Sequence, residues 1–160
     1  MAKSKVKTNA MRLLDAENIH YSIDTYDVKD GKIDGVSVAK KVGKDPKVVY
    51  KTLVTQGHSG EHYVFVIPVE KELDLKKAAK SVGEKKVEMI HVKDIQKWTG
   101  YIRGGCSPIG MKKLYPTVID GSAAEIDHIV VSGGKIGVQM ILAVDDLKKA
   151  ARAELIDVVK

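Results

Sequence analysis

The sequence predicts an α+β (mixed α/β) domain, and three observations carry that expectation. Segments with the two-residue period of strands alternate with short stretches of helical period. Glycine, proline and aspartate clusters separate nearly every pair of them. At 160 residues the chain is long enough for one well-buried core and too short for two ordinary domains, so residues 1–160 are read as a single compact domain. Hydrophobic residues make up 44% of the chain and charged residues 30%, which excludes wholesale disorder.

Taken in order, Thr8 to Ala16 places Ala10, Leu13 and Leu14 at helical spacing, with Thr8 as cap and Asn18 as stop. The run from His20 to Asp27 alternates Tyr21, Ile23 and Thr25 against polar neighbours, the pattern of a half-buried strand that Tyr26 closes on the opposite face. Asp30 to Gly35 is a turn cluster. Ser37 to Gly43 reads as a short helix capped by Ser37. Val48 to Val54 is β-rich and apolar on both faces, as in the centre of a sheet. Gly57 to Gly60 forms a hairpin-like turn into a partner strand, Glu61 to Pro68. Leu73 to Gly83 reads as a helix burying Leu75, Ala78, Ala79 and Val82, with Lys76, Lys77 and Lys80 on a face that is either merely solvated or tracks a phosphate backbone. Val87 to Ile90 is too short to classify. Val92 to Thr99 reads as a short helix, and Tyr115–Asp120, Ile126–Ser132 and Gly137–Ala143 are further strands. Asp145 caps a last helix through Leu147, Ala150 and Ala151. Five or six strands with short helices suit one mixed domain.

The formal charge of +6 and a pI near 9.2 permit a polyanionic partner. The excess comes from 24 lysines against three arginines, a balance that reads as a diffuse field rather than an Arg-rich base-reading surface. The single cysteine excludes an internal disulfide and agrees with a reducing compartment. His20, His58, His62, His91 and His128 lack metal-ligand spacing, so neither metal nor cofactor is expected. No run reaches the roughly 18 apolar residues of a membrane span. The basic start, Met1 to Lys7, leads into an amphipathic pattern instead of an apolar signal core, and a cytoplasmic location is expected.

Two features point to chemistry. From Gly100 to Gly110 the chain reads Gly-Tyr-Ile-Arg-Gly-Gly-Cys-Ser-Pro-Ile-Gly, with four glycines and one proline in eleven residues. Glycines permit backbone conformations that side chains forbid, and Pro108 pushes Ser107 out of the helical region. Successive N–H groups in such a loop cradle a phosphate, a carboxylate or an oxyanion; the alternative is a bare surface turn. The second feature is Lys51, flanked on its own strand face by Val49 and Leu53. A lysine there snorkels to solvent, meets a carboxylate, or points its ammonium into a ligand cavity. Cys106 is the one conventional nucleophile candidate, weighed against an inert thiol. Gly133-Gly134-Lys135 lacks the other residues of a phosphate-binding P-loop, and no Gly-x-Ser-x-Gly elbow is present.

Tyr50-Lys51-Thr52-Leu53, Leu75 to Gly83, the Gly100–Gly110 loop and Val131-Ser132-Gly133-Gly134-Lys135 together resemble the YbaK/EbsC family, free-standing relatives of the editing insertion domain of prolyl-tRNA synthetase. The resemblance runs in order from about Thr8 to the C-terminus. It implies a compact domain built round a largely antiparallel, barrel-like sheet. It also implies a trans-editing deacylase, and the Gly-Gly-Cys-Ser-Pro-Ile-Gly loop is most similar to the branch that acts on Cys-tRNA(Pro). Carried over residue by residue, Lys51 matches the family's pocket lysine, Gly104 to Pro108 its Gly-x-x-x-Pro loop, and Ser132 its serine before a Gly-Gly pair. Tyr26 and Tyr101 match its two tyrosines. Cys106 falls on a variable position.

On this resemblance Lys51, Gly104 and Gly105 are expected at the reaction centre. Tyr26, Tyr101, Cys106, Ser107, Pro108 and Ser132 are expected around the substrate. The expected partners are the 3′ end of Cys-tRNA(Pro) and, in a transient complex, prolyl-tRNA synthetase. The competing readings are a deacylase for alanyl or seryl esters, a non-catalytic RNA- or nucleotide-binding module, and a cysteine hydrolase using Cys106.

Overall fold

The computed structural model describes residues 7–160; the basic start Met1 to Val6 lies outside them. Among the described residues, five α-helices and eight strands succeed one another. They are α1 (Asn9–Ala16), β1 (Ser22–Thr25), α2 (Gly35–Lys41), β2 (Tyr50–Gly57), β3 (His62–Pro68), α3 (Leu75–Ser81), β4 (Val87–Met89), α4 (Ile95–Thr99), β5 (Thr117–Asp120), β6 (His128–Ser132), β7 (Val138–Ala143), α5 (Val144–Ala151) and β8 (Glu154–Ile156). A five-stranded sheet has the order β4-β2-β3-β5-β8, and a three-stranded sheet the order β1-β7-β6. Four strand pairs are antiparallel; β3–β5 and β5–β8 are parallel. The two sheets do not close into a barrel. They meet where Val49 bridges Val130 and the Val130 N–H donates to the Val48 carbonyl at 2.9 Å.

The central strand is β3, whose seven residues are all buried. Its alternation explains why. Val64 and Val66 join the main core with α1, α5, β6 and β7, while Tyr63, Phe65 and Ile67 join a second core under α3. β2 lies beside it and is covered by β4 only at Thr55–Gly57, so the expected central role passes from Val48–Val54 to β3. β4 and β8 have three residues each and no period of their own; neighbouring strands define them.

Local capping accounts for most other differences from expectation. Thr8 caps α1, its hydroxyl accepting from the Met11 N–H at 3.2 Å. Asp34, not Ser37, caps α2: its carboxylate accepts from the Ser37 N–H at 3.1 Å and the Ser37 hydroxyl at 2.7 Å. Asp74 caps α3, so Leu75 is the first helical residue. Its side chain leans back over the helix start and stays 42% exposed, while Leu73 fills the core. β7 runs directly into α5, which places buried Val144 at the start and Asp145 inside the first turn, not at the cap.

Candidate active site

A cavity of about 660 Å³ opens where the two sheets part. β4 leaves the edge of β2 uncovered from Tyr50 to Leu53, and Tyr50, Lys51, Thr52 and Leu53 all border the cavity. In the antiparallel register Lys51 faces Ile67 and Leu53 faces Phe65, so Lys51 sits on the apolar face of the second core, at its open end. The side chain is half-buried and takes part in none of the ion pairs found among the described residues. Burial pushes its pKa below the ordinary lysine value, and the charge of Glu72 opposes that shift in part.

The glycine loop forms the second wall. α4 ends at Gly100 in the left-handed region (φ 86°), and two hydrogen bonds fix the path of the chain beyond it. The Tyr101 hydroxyl donates to the Ile109 carbonyl at 2.8 Å, and the Tyr101 N–H to the Thr99 hydroxyl at 3.0 Å. Gly104 has φ 85° and borders the cavity; a Cβ there would lie 2.9 Å from Ile33 Cδ1. At Gly105 a Cβ would lie 2.8 Å from the Ile136 backbone nitrogen, so the loop packs main chain against main chain on the turn after β6.

This geometry revises part of the expected site. The Gly105 N–H donates to the Ile102 carbonyl at 2.9 Å and is committed within a turn. Gly104 and Cys106 both border the cavity, and among the described residues their N–H groups have no backbone acceptor. The second half of the loop folds inward, so Ser107 is fully buried and Pro108 faces a separate, smaller depression. Tyr101 is buried with Val54 and Cys106. Tyr101, Gly105, Ser107 and Pro108 therefore hold the loop's shape and do not border the cavity. Cys106 borders it, 9% exposed; burial pushes its thiol up to about 11, against a smaller opposing effect of the Thr99 hydroxyl. At neutral pH it is a protonated thiol and a poor nucleophile.

The third wall comes from the smaller sheet. Ser132 at the end of β6 and Gln139 opposite it on β7 both border the cavity. The Ser132 oxygen accepts from the Gly134 N–H at 3.2 Å, which leaves its O–H free to donate. Tyr26 lies just beyond β1. Its hydroxyl and that of Thr52 are buried without a partner among the described residues. The segment from Asp27 to Asp34 closes this side. Lys41 Nζ tethers it through the Asp27 carbonyl (2.7 Å), the Lys32 carbonyl (2.9 Å) and the Asp30 carboxylate (2.7 Å). No group of three potential metal ligands occurs among the described residues.

Residues 34–150 match the model of the aminoacyl-tRNA editing domain, which spans most of the chain. The chain belongs to the aminoacyl-tRNA editing domain family. A relative in Enterococcus faecalis, named "Putative Cys-tRNA(Pro)/Cys-tRNA(Cys) deacylase EbsC", is 48% identical over 145 residues, covering 89% of this chain and 88% of that protein. Two solved structures share the fold. A "putative trans-editing enzyme for prolyl tRNA synthetase" superposes with a TM-score of 0.82 at 22% identity over 97% of this chain and 99% of its own. A hypothetical protein superposes at 0.85 with 20% identity, over 95% and 99%. The matched stretch of the editing domain contains Lys51, the glycine loop and Ser132, while Tyr26 precedes it.

Thr52, Gln139 and Arg103 also border the cavity, and sequence reasoning passed over them. Gln139 left a signal: it is the lone polar residue in an otherwise apolar strand, and it is 7% exposed. Thr52 follows Lys51 directly and so points to the opposite strand face, and only the uncovered edge of β2 brings both into one space. Arg103 sits between glycine-loop residues with nothing in the sequence to orient it.

Proposed function

We propose that this chain is an aminoacyl-tRNA deacylase that removes cysteine from mischarged Cys-tRNA(Pro), with the substrate's own thiol as the attacking group. One observation carries the reading. The cavity offers a cation, free hydroxyls and backbone N–H groups, yet its single thiol is buried and protonated, and the Asp34 carboxylate at its rim is taken up in capping α2. Such a site positions and stabilises charge but supplies neither a ready nucleophile nor a ready base.

In the proposed reaction Lys51 pairs with the phosphate of the terminal nucleotide. Tyr26, Thr52 and Ser132 hold the ribose and the aminoacyl group. The N–H groups of Gly104 and Cys106 face the carbonyl oxygen as it gains charge. The cysteinyl sulfur attacks its own ester carbonyl, the carbon–sulfur bond forms, and the bond to the ribose oxygen breaks. That oxygen takes up the proton the thiol gives up, and the products are free tRNA and a cyclic thioester that water then opens. An apolar pocket separates amino acids as similar in size as cysteine and proline by only about 1–3 kcal/mol, so a second site for removing cysteine is physically reasonable. A transient complex with prolyl-tRNA synthetase would supply selection of the tRNA body.

Single-turnover cleavage of Cys-, Ser- and Ala-tRNA(Pro) tests the reading. Rapid loss of cysteine with slow loss of serine and alanine is expected. Equal rates on all three would require an outside nucleophile and overturn the substrate-assisted route. Binding of tRNA without turnover would leave a binding module.

A further inference from the structure

The chain's charge is not spread evenly. From Lys85 to Lys113 seven lysines and arginines stand against two carboxylates, so this stretch carries +5 of the chain's formal +6. It contains β4, α4 and the glycine loop, and its β4–α4 part walls a second cleft of about 180 Å³; of the seven cations Lys86 borders that cleft and Lys97 approaches it over the Trp98 ring. Gln56, His58, Lys86, Glu88, His91 and Trp98 border that cleft. Trp98 is the only tryptophan in the sequence. Its indole is backed by the buried ring of His62, with centroids 4.2 Å apart and planes at 35°, and Lys97 Nζ lies 5.0 Å from its centroid. A half-exposed indole beside lysines and imidazoles is the combination that binds single-stranded nucleic acid: the ring stacks a base and the cations meet the phosphates. Asp94 on the same rim suits the exocyclic amine of a cytosine or adenine, while Glu88 pairs with Lys86 at 3.4 Å in an exposed ion pair that an arriving phosphate would replace.

The cleft and the cavity lie along one strand. Residues 51–53 of β2 border the cavity and Gln56 and Gly57 of the same strand border the cleft, a separation of about 17 Å from Lys51 to Gln56 at 3.3 Å per residue. α4 leads from Trp98 straight into the glycine loop. We propose that the Trp98 cleft is a nucleotide subsite that holds a cytidine of the single-stranded 3′ tail while the terminal aminoacyl-adenosine occupies the cavity. The inference rests on the deacylase reading for the direction of the strand. The subsite explains how so small a domain grips an RNA end, because the tail is held at two points and its terminal ester is drawn to Lys51.

Because Trp98 is the sole indole, its fluorescence reports the cleft directly. Titration with the trinucleotide CCA is expected to change that signal saturably, and ribose 5-phosphate, which has no base to stack, to leave it unchanged. The double variant His58→Ala/Lys86→Ala is expected to weaken CCA binding about tenfold and to lower the slope of log affinity against log salt by about 0.7 for a lost phosphate contact. Trp98→Phe keeps a stacking ring and is expected to retain most CCA affinity, measured by anisotropy of labelled CCA. In turnover, the double variant is expected to lose about tenfold in kcat/KM on a CCA-tailed cysteinyl minihelix and nothing on cysteinyl-adenosine. A silent indole at millimolar CCA, or CCA affinity that the double variant keeps, overturns the subsite. The titration uses no ester, so CCA binding at Trp98 without any cleavage of Cys-tRNA would sustain the cleft and remove the deacylase reading.

Discussion

Two polar clusters in this fold use similar residues to opposite ends. At the hairpin between β2 and β3, the Glu84 carboxylate accepts from the Ser59 N–H (3.1 Å), the Ser59 hydroxyl and the Tyr63 hydroxyl (2.7 Å). In the cavity, the Tyr26 and Thr52 hydroxyls find no partner among the described residues, and Lys51 stands half-buried with its pKa pushed down by burial. The first cluster spends its polarity on itself and fixes a turn. The second leaves its polar groups unpartnered, and the proposed substrate is what would meet them. Polar groups without partners are a cost in the free protein, which selection tolerates where a ligand removes it.

The largest expected effect comes from removing Lys51, which joins no ion pair among the described residues. Lys51→Ala is expected to lower single-turnover cleavage of Cys-tRNA(Pro) on the order of 100-fold, the loss typical of deleting one partner of a desolvated charge pair. It is expected to leave thermal stability unchanged or slightly raised, because a half-buried charge is removed. A variant that unfolds would make Lys51 a structural residue like Glu84. The same lysine is expected to set an alkaline limit: burial depresses its pKa, so the ammonium is lost at lower pH than for an ordinary lysine, and the proposed activity with it. The alkaline limb of the pH–rate profile checks this.

Gly105→Ala tests the wall that positions the cavity without bordering it. The new methyl would stand 2.8 Å from the Ile136 nitrogen and 3.0 Å from the Lys135 carbonyl carbon, both main-chain atoms that cannot rotate away. The loop must move, and a stability loss of about 1–3 kcal/mol is expected, with cleavage falling as Gly104 and Cys106 shift. Denaturant unfolding and cleavage should fall together. Normal stability with lost cleavage would instead put Gly105 at the substrate.

Glu84→Gln is the converse of Lys51→Ala. The Ser59 hydroxyl first, and then the Tyr63 hydroxyl, hold the Glu84 carboxyl below its ordinary value of 4.5. A carboxyl depressed in the folded state contributes stability that is present above the unfolded value and is lost as pH falls through 4.5 and below. The variant is therefore expected to melt lower than wild type at pH 7 and to converge with it in acid, with cleavage per folded molecule unchanged.

The contrast between the clusters also marks what the sequence made legible. Lys51 stood out because a lysine between Val49 and Leu53 violates the strand's pattern, and the glycine loop because four glycines fall in eleven residues. The strands long enough to show a period were legible for the same reason. β4 and β8 were not, since three residues carry no period. Caps were assigned three residues late at Ser37, where Asp34 caps, and two residues late at Asp145, where the helix starts from Ala143, because several neighbouring residues can cap and packing at Val38 and Val144 decides. The direction of each loop amide was not legible at all. Gly104 and Gly105 are identical in sequence terms, and only the turn bond to Ile102 commits one of them. The lysine excess read as diffuse because it was counted over the whole chain. Its concentration between Lys85 and Lys113 gains meaning only once β4 and α4 are seen to wall one cleft, from which the chain leads on into the loop.

The smallest expected effect belongs to the residue with the most conventional chemistry. Cys106→Ala removes the chain's only thiol from the cavity wall, and cleavage of Cys-tRNA(Pro) is expected to change less than threefold, about what a small packing change at the wall gives. The pH profile gives this variant a positive signal to follow. With Cys106 pushed up to about 11, very little enzyme thiolate forms between about pH 6 and 9, so the substrate thiol, whose ordinary value is about 8.5, is the expected source of a rise in rate over that interval. The rise is expected to persist in Cys106→Ala and to vanish when the tRNA carries serine. If the rise follows Cys106, the buried thiol is the nucleophile after all, and the cavity's unpartnered hydroxyls serve a protein-bound acyl intermediate.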